Sequence, residues 1–345
     1  ECKIKTPQLD NLARSGMIFT DAHSSSSVCT PTRYGILTGR YNWRSRLQNG
    51  VCWGFSRRLI EPKRTTVGSL LQANGYHTAA VGKWHLGMDW PLKKGGFADD
   101  GDRWSPQYRG GWDVDYSKPI QNGPNTLGFD YFFGISASLD MPPYVFIRND
   151  KPQVSKLVEK AFQRKGPADV DFEAIDVLPR ITEEVVSYIG RRAEAAKAGK
   201  PFFVYFPLNA PHTPILPTAA WKGKSGLNAY GDFVMQVDDT VGQVMKALDK
   251  HGLAENTLLI FTADNGCSPQ AKFDQLHAKG HHPSYKFRGH KADIFEGGHR
   301  VPFVVRWPGK VKAGSEYNGI VSSADFFATA ADIAGARDKI KPDTA

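Results

Sequence analysis

The sequence predicts an α/β fold in which helices cover both faces of a mostly parallel central sheet. Two observations predict it: four amphipathic helical patterns occur along the chain, and a short apolar segment that suits a β-strand follows each of them. Alternation of this kind is typical of α/β proteins, because a crossover helix returns the chain to the start of the next parallel strand.

The first two helix and strand pairs have clear boundaries. Pro7 predicts the first turn of a helix that ends at Gly16, and residues 17–20 then predict a strand. The same order returns at 66–74 and 77–81, where an apolar helical face is followed by an extended apolar segment.

The last two pairs are longer. A helical pattern at 176–197 leads into the apolar run 202–206, which predicts a strand buried on both faces. A second helical pattern leads into a predicted strand at 258–261, and its apolar stripe consists of Phe233, Val237, Val241, Val244 and Leu248.

Composition excludes several classes of protein. Hydrophobic residues make up 41% of the 345 residues, which is enough for a large core, but no apolar run is long enough to span a bilayer. The net charge of +9 suits an anionic substrate, yet the basic residues are scattered and do not form a nucleic-acid-binding stripe. Four cysteines without a Cys-x-x-Cys pair are too few for a disulfide scaffold and do not indicate a zinc site.

We expect one catalytic domain over residues 1–345, interrupted by a long surface insertion at 90–124. That stretch is rich in glycine, aspartate and aromatic residues and has no helical or strand periodicity. Loops of this length usually carry function or are disordered, so the segment is a candidate wall of a substrate site.

Cys29 is the first candidate for chemistry. Pro31 follows it where a helix would begin, which places Cys29 at a helix N-terminus, where free N–H groups and the helix dipole favour an anion. Spacing alone leaves three interpretations open: a thiol of low pKa, a buried apolar residue, or a nucleophile.

Further candidates follow predicted strands. Lys83 and His85 end the 77–81 strand, and they are either a surface pair or functional groups. His212 comes after the 202–206 strand, and Asp264 with Asn265 comes after the 258–261 strand, at the edge where open α/β sheets bind ligands. Asp264 and Asn265 carry hard oxygen donors that suit Ca²⁺ or Mg²⁺, although Asp-Asn-Gly is also a common turn.

Three blocks of sequence resemble one enzyme family. Cys-Thr-Pro-Thr-Arg continuing to Leu-Thr-Gly-Arg at 29–40 is similar to the signature of the sulfatases, and residues 75–87 are similar to their second signature. The block at 291–302, which contains Glu-Gly-Gly-His-Arg-Val-Pro, resembles their late lysine block. The resemblance is to formylglycine-dependent, arylsulfatase A-like members of the alkaline-phosphatase superfamily, and it implies an alkaline-phosphatase-like core.

The resemblance implies a role for each candidate. Cys29 would be oxidised to formylglycine by a maturation enzyme, and the spare hydroxyl of its hydrate would expel sulfate, which a serine could not do. His85 would serve that hydroxyl, and His212 would contact or protonate the leaving oxygen. The sulfate would be bound by four residues, namely Arg33, Lys83, His85 and Lys291. Ca²⁺ or Mg²⁺ would be bound by Cys29, Asp264 and Asn265.

The sequence departs from the family at both ends. The family completes its metal site with two aspartates at the end of its first strand, and no Asp-Asp pair occurs before Thr6. We therefore expect that the N-terminal strand, and the C-terminal subdomain after the helix at 325–334, are truncated. Asp99-Asp100 and Asp238-Asp239 are poor substitutes, because the first pair lies in the insertion and the second within a predicted helix.

The substrate is less well defined. Residues 283–289 resemble bacterial carbohydrate sulfatases close to N-acetylgalactosamine-6-sulfatase, which implies a sulfated carbohydrate, with an aryl sulfate as the other family substrate. The residues near Lys291 that could contact a sugar are Arg288, His299 and His281. Family habit implies a periplasmic or secreted enzyme, and no signal peptide is visible in this sequence. The alternatives are a phosphatase or phosphodiesterase of the same superfamily and a catalytically silent binder of sulfated glycans.

Overall fold

A computed structural model describes residues 2–99 and 111–340 of the chain. The chain divides into two compact units. The first unit comprises residues 1–28, 182–199 and 210–323, and the second comprises residues 29–181, 200–209 and 324–345.

Helices and strands alternate through most of the chain. The helices are α1 (Pro7–Arg14), α2 (Cys29–Thr38), α3 (Val67–Ala73), α4 (Val177–Lys197), α5 (Ala229–Lys250), α6 (Phe273–His277), α7 (Glu296–His299) and α8 (Asp325–Ile333). The strands are β1 (Met17–Phe19), β2 (Ala22–His23), β3 (His77–Lys83), β4 (Tyr131–Ile135), β5 (Phe146–Arg148), β6 (Lys151–Gln153), β7 (Leu157–Ala161), β8 (Lys165–Asp169), β9 (Phe202–Tyr205), β10 (Leu259–Thr262), β11 (Phe303–Arg306), β12 (Ser315–Tyr317) and β13 (Val321–Ser322).

The second unit is built on a five-stranded mixed sheet. Its strand order is β6-β5-β4-β3-β9, in which β3 runs parallel to β4 and β9 while β4, β5 and β6 are antiparallel neighbours. Trp84 follows β3 and packs edge-on against Phe129 and Phe132 in the core of this unit. The packing of Trp84 in this core therefore fixes the position of its two neighbours, Lys83 and His85.

The first unit contains a four-stranded sheet in the order β10-β11-β1-β12. β1 and β12 are parallel, whereas β11 is antiparallel to both of its neighbours. Leu12 of α1, Met245 of α5 and Val304 of β11 form a small buried cluster against this sheet. A parallel pair, β2 and β13, lies in the same unit and brings His23 beside Ser322.

The predicted fold class is confirmed, and most predicted boundaries agree with the structure. The helix predicted at 66–74 is α3, which Thr66 begins with a reciprocal capping box to Ser69. The prediction that 202–206 is buried on both faces is wrong, because every residue of β9 is only partly buried. The physical reason is that β9 is the outermost strand of its sheet, so one of its edges has no neighbouring strand within the second unit.

The predicted insertion at 90–124 is partly folded into the second unit. Trp90 and Val114 are fully buried in the core, and Asp89 bridges to Gln121 across the two ends of the segment. Asp100 and the aromatic residues Trp104 and Tyr108 lie outside the described residues. All four cysteines are free thiols, and none of the described helices is long and apolar enough to cross a membrane.

Candidate active site

Cys29 is the first residue of α2 and is only 3% exposed. The next residue connects this helix to two other segments of the second unit. The Thr30 hydroxyl donates to the carbonyl of His85 at 2.9 Å and accepts the N–H of Cys52 at 3.2 Å. The N-terminus of α2 is thereby fixed against the chain that leaves β3.

Arg33 and Lys83 place two cations in the interior of the second unit. Arg33 lies one helical turn after Cys29, and its Nη1 donates to the carbonyl of Lys83 at 2.6 Å. Lys83 is 2% exposed and Arg33 is 5% exposed. Because a buried cation is costly to remove from water, two of them held close together suit a site that receives an anion.

His85 is held as a neutral acceptor. Its Nε2 donates to the carbonyl of Cys52 at 2.8 Å, while its buried Nδ1 has no hydrogen-bond partner among the described residues. Burial lowers the pKa of His85 well below its usual value, and the charges of Lys83 and Arg33 lower it further. The residue also has a φ of 59°, which residues other than glycine adopt rarely.

Asp264 and Asn265 lie two and three residues after the end of β10 in the first unit, as predicted. The Asn265 amide donates through Nδ2 to the carbonyl of Gly266 at 3.0 Å. Its Oδ1 is buried and accepts no hydrogen bond from the described residues. Such an orphaned amide oxygen next to a carboxylate fits a hard divalent cation.

Lys291 is anchored beside this acidic segment. Its N–H donates to the carbonyl of Cys267 at 2.9 Å, and the N–H of Gly266 donates to the carbonyl of Gly298 at 2.8 Å. His212 lies in the same unit, where its Nδ1 donates to the carbonyl of Thr213 at 2.8 Å. That bond makes Nε2 of His212 the nitrogen with the lone pair.

The three residues predicted to contact substrate have different surroundings. Arg288 is exposed, and its guanidinium lies 3.6 Å from the centre of the Phe295 ring. His281 is buried, accepts the N–H of Lys3 at 3.3 Å, and has a pKa lowered mainly by burial. His299 faces His23, with their two Nδ1 atoms 3.0 Å apart.

The predicted catalytic and metal-binding residues are divided between the two units. The second unit contains Cys29, Arg33, Lys83 and His85, and the first contains His212, Asp264, Asn265 and Lys291. Sequence reasoning gave no role to Asn209, although its Oδ1 is buried without a partner among the described residues. Its position directly after a strand, within the same motif as His212, was the available signal.

Comparisons with known proteins identify the family of this chain. The Sulfatase family model matches residues 3–336. An N-acetylgalactosamine-6-O-sulfatase of Bacteroides thetaiotaomicron is 32% identical over 375 residues, which cover 95% of this chain and 68% of that protein. Human arylsulfatase A is 31% identical over 344 residues, which cover 96% of this chain and 59% of that enzyme.

Solved structures give the same result. A protein solved in work on glycosaminoglycan metabolism by Bacteroides thetaiotaomicron superposes with a TM-score of 0.82 at 30% identity, covering 97% of this chain and 73% of that one. The chain spans about three fifths to two thirds of the length of its curated relatives. Sequence motifs, fold and relatives all agree, and this chain belongs to the sulfatase family, whose members are sulfuric ester hydrolases.

Proposed function

We propose that the protein hydrolyses sulfate esters of carbohydrates with a formylglycine made from Cys29. The observation that carries the proposal is the position of Cys29 as the first residue of α2, with Thr30 tying that helix end to His85. A helix N-terminus favours an anion, and Arg33 adds a buried positive charge one turn further on. The proposal includes a formylglycine-generating maturation enzyme as a partner and a periplasmic or extracellular location.

Each candidate side chain has its own role in the proposed hydrolysis. The hydrated formylglycine supplies a nucleophilic hydroxyl and a second hydroxyl for the release of sulfate. Nδ1 of His85 is a buried acceptor for a hydroxyl proton, because Nε2 is already committed to Cys52. By the family resemblance, Arg33, Lys83 and Lys291 would neutralise the sulfate oxygens, and His212 would meet the leaving oxygen through Nε2.

Asp264, Asn265 and the modified Cys29 would hold the divalent cation. The fit rests on the unpartnered Oδ1 of Asn265 and on a donor set made of oxygen atoms, which suits Ca²⁺, or Mg²⁺, and not zinc. When bound, the ion supplies positive charge to the sulfate oxygens.

A sulfated carbohydrate is the proposed substrate. The bacterial relative is named as an N-acetylgalactosamine-6-O-sulfatase, and Arg288 is an exposed cation stacked on Phe295 that suits a sugar sulfate or hydroxyl. His281 is buried and bonded to the backbone of Lys3, so its surroundings favour a structural role. Assays on monosaccharides sulfated at defined positions identify the substrate, and a failure to release sulfate from all of them would exclude the carbohydrate assignment.

Mass spectrometry of the protein co-expressed with a maturation enzyme tests the nucleophile. The peptide that contains Cys29 should lose about 18 Da when its thiol becomes an aldehyde. The peptide that contains Cys52, another buried free thiol, is the matched control and should keep its mass. Cys29→Ala should abolish sulfate release, and an unmodified Cys29 in active protein would favour a phosphatase-like mechanism instead.

A further inference from the structure

We propose that His23, Glu296 and His299 form a separate binding site for a divalent transition-metal ion such as Zn²⁺. The three residues belong to the first unit, and one ligand atom from each lies within 4.8 Å of the other two. His23 ends β2, and Glu296 and His299 are the first and last residues of α7. None of the three has been given a metal-binding role in the sulfate site.

The hydrogen bond made by Nε2 of each histidine determines which ring nitrogen carries the proton. Nε2 of His23 lies 2.8 Å from a carboxylate oxygen of Asp21, and Nε2 of His299 lies 3.0 Å from the carbonyl oxygen of Ile294. Both oxygens only accept, so both Nε2 atoms carry a proton. When both imidazoles are neutral, each has one N–H, and Nδ1 of each ring presents a lone pair.

These two lone pairs point at each other. The Nδ1 atoms of His23 and His299 are 3.0 Å apart, so either a shared proton or a metal ion must lie between them. A bound metal ion satisfies both nitrogens at once, because a point about 2.1 Å from each exists at this separation. The carboxylate of Asp21 behind His23 is the partner that a metal-binding histidine usually has.

Glu296 supplies the third ligand and sets the choice of metal. Its Oε2 pairs with Arg300 at 2.6 Å, which leaves the second carboxylate oxygen to approach the ion. The side chain of Glu296 is 41% exposed, so it can be approached from solvent. Two imidazoles and one carboxylate favour Zn²⁺ over Ca²⁺, which prefers oxygen ligands alone.

Local charge is compatible with a cation at this position. Asp21 and Glu296 contribute two carboxylates, and Arg300 pairs with both, at 3.3 Å and 2.6 Å. The cluster therefore has a net charge of −1 while both imidazoles are neutral, and a divalent ion brings it to +1.

The site would join two segments that lead to catalytic residues. The N–H of Ser24 donates to the carbonyl of His299 at 2.8 Å, and the N–H of Ala292, next to Lys291, donates to the carbonyl of Ser27 at 2.9 Å. A metal ion on His23 and His299 adds a third link between the same two segments. Its role is accordingly structural, and it differs from that of the Ca²⁺ site.

Calorimetric titration of the metal-stripped full chain with Zn²⁺, in buffer saturated with Ca²⁺, tests the proposal. We expect one Zn²⁺ per chain in addition to any weaker binding, and a loss of affinity of more than about 10-fold in His23→Gln and in His299→Gln. His251→Gln, which changes a histidine outside the trio, should bind Zn²⁺ like the unchanged protein. Equal affinity in the unchanged protein and both trio variants would overturn the assignment.

Cobalt substitution tests the same site without a variant. Co²⁺ added to the unchanged chain should produce visible absorption bands of a four- or five-coordinate nitrogen and oxygen site, and one equivalent of Zn²⁺ should remove them. Absence of these bands at one equivalent of Co²⁺ would overturn the proposal even if a histidine variant failed to fold. Neither measurement depends on sulfate release, so the result is independent of the proposed activity.

Discussion

Nε2 of His85 donates to the carbonyl of Cys52 at 2.8 Å, and this bond decides which nitrogen of the ring faces the site. The remaining Nδ1 is buried with no partner among the described residues. Because burial lowers the pKa of His85 well below its usual value, the ring stays neutral and keeps its acceptor at neutral pH.

The first prediction concerns the pH dependence of stability. Below pH 6.5, the ordinary pKa of histidine, the unfolded chain binds a proton on residue 85 that the folded chain does not bind. The free energy of unfolding should therefore fall as the pH decreases from 6.5, and His85 should account for at most ~1.4 kcal/mol per pH unit of that slope. Denaturant unfolding between neutral and mildly acidic pH measures it.

His85→Asn is the matched variant, since asparagine tolerates the positive φ at this position better than most residues. The variant should show a shallower dependence of stability on pH than the unchanged protein. Parallel curves would mean that residue 85 already takes up its proton in the folded state.

Helix ends and residues that follow strands could be predicted because each depends on residues close together in the sequence. Thr66 and Ser69 are three residues apart, and the reciprocal hydrogen bonds between them are a property of the helix end itself. Asp264 and Asn265 lie within three residues of the end of β10, so their place at the carboxyl end of that strand could be predicted from their order in the sequence alone. The long amphipathic helix α4 was predicted to within one residue for the same reason.

The other features depend on contacts between distant residues. The apolar run of β9 indicates a strand, but only the strand order shows that it has one neighbour and not two. His23 and His299 are separated by 276 positions, and neither segment alone shows that their rings meet. The orphaned Nδ1 of His85 likewise depends on Cys52, which is 33 positions away.

The second prediction concerns the amide oxygen of Asn265. Asn265→Ala removes the buried, unpartnered Oδ1, so the affinity for Ca²⁺ should fall at least about 10-fold, which corresponds to ~1.4 kcal/mol. Calorimetric titration with Ca²⁺ measures the affinity without any substrate. Asn256→Ala, at an exposed turn, is the control and should bind Ca²⁺ normally. Unchanged affinity in Asn265→Ala would remove this residue from the metal site.

The third prediction concerns Asp238, a residue of α5 that caps the N-terminus of α1. Thr6 makes no side-chain cap at the start of α1, and Asp238 of α5 instead accepts the N–H groups of Gln8 and Leu9 at 3.1 and 2.8 Å. Asp238→Ala leaves both N–H groups without this acceptor, which should cost about 1–3 kcal/mol in the free energy of unfolding. Denaturant unfolding curves measure the loss.

Asp239→Ala is the neighbouring control, because Asp239 contacts the exposed Gln243 on its own helix. Its effect should stay within about 0.5 kcal/mol. Asp238→Asn should fall between the two, since it keeps one of the two accepting oxygens. Equal destabilisation by the two alanine variants would show that Asp238 has no special role at α1.

The fourth prediction concerns Gly266, the residue after Asn265. A Cβ at this position would lie 1.8 Å from the carbonyl oxygen of Gly297, so the backbone of one segment must move. Gly266→Ala should destabilise the fold by about 1–3 kcal/mol and weaken Ca²⁺ binding, because the N–H of Gly266 anchors this turn to the carbonyl of Gly298 at 2.8 Å.

Gly123→Ala separates this steric effect from the general cost of replacing a glycine. Gly123 has a φ of −90°, and the atoms nearest to its Cβ position are 3.9 Å away, so alanine fits there without a steric clash. Thermal unfolding with and without Ca²⁺ compares the two variants. Gly123→Ala should keep the full stabilisation by Ca²⁺, whereas Gly266→Ala should lose most of it, because the clash displaces the turn that carries Asp264 and Asn265. If Ca²⁺ stabilises both variants equally, the close approach of Gly266 to Gly297 does not position the metal ligands.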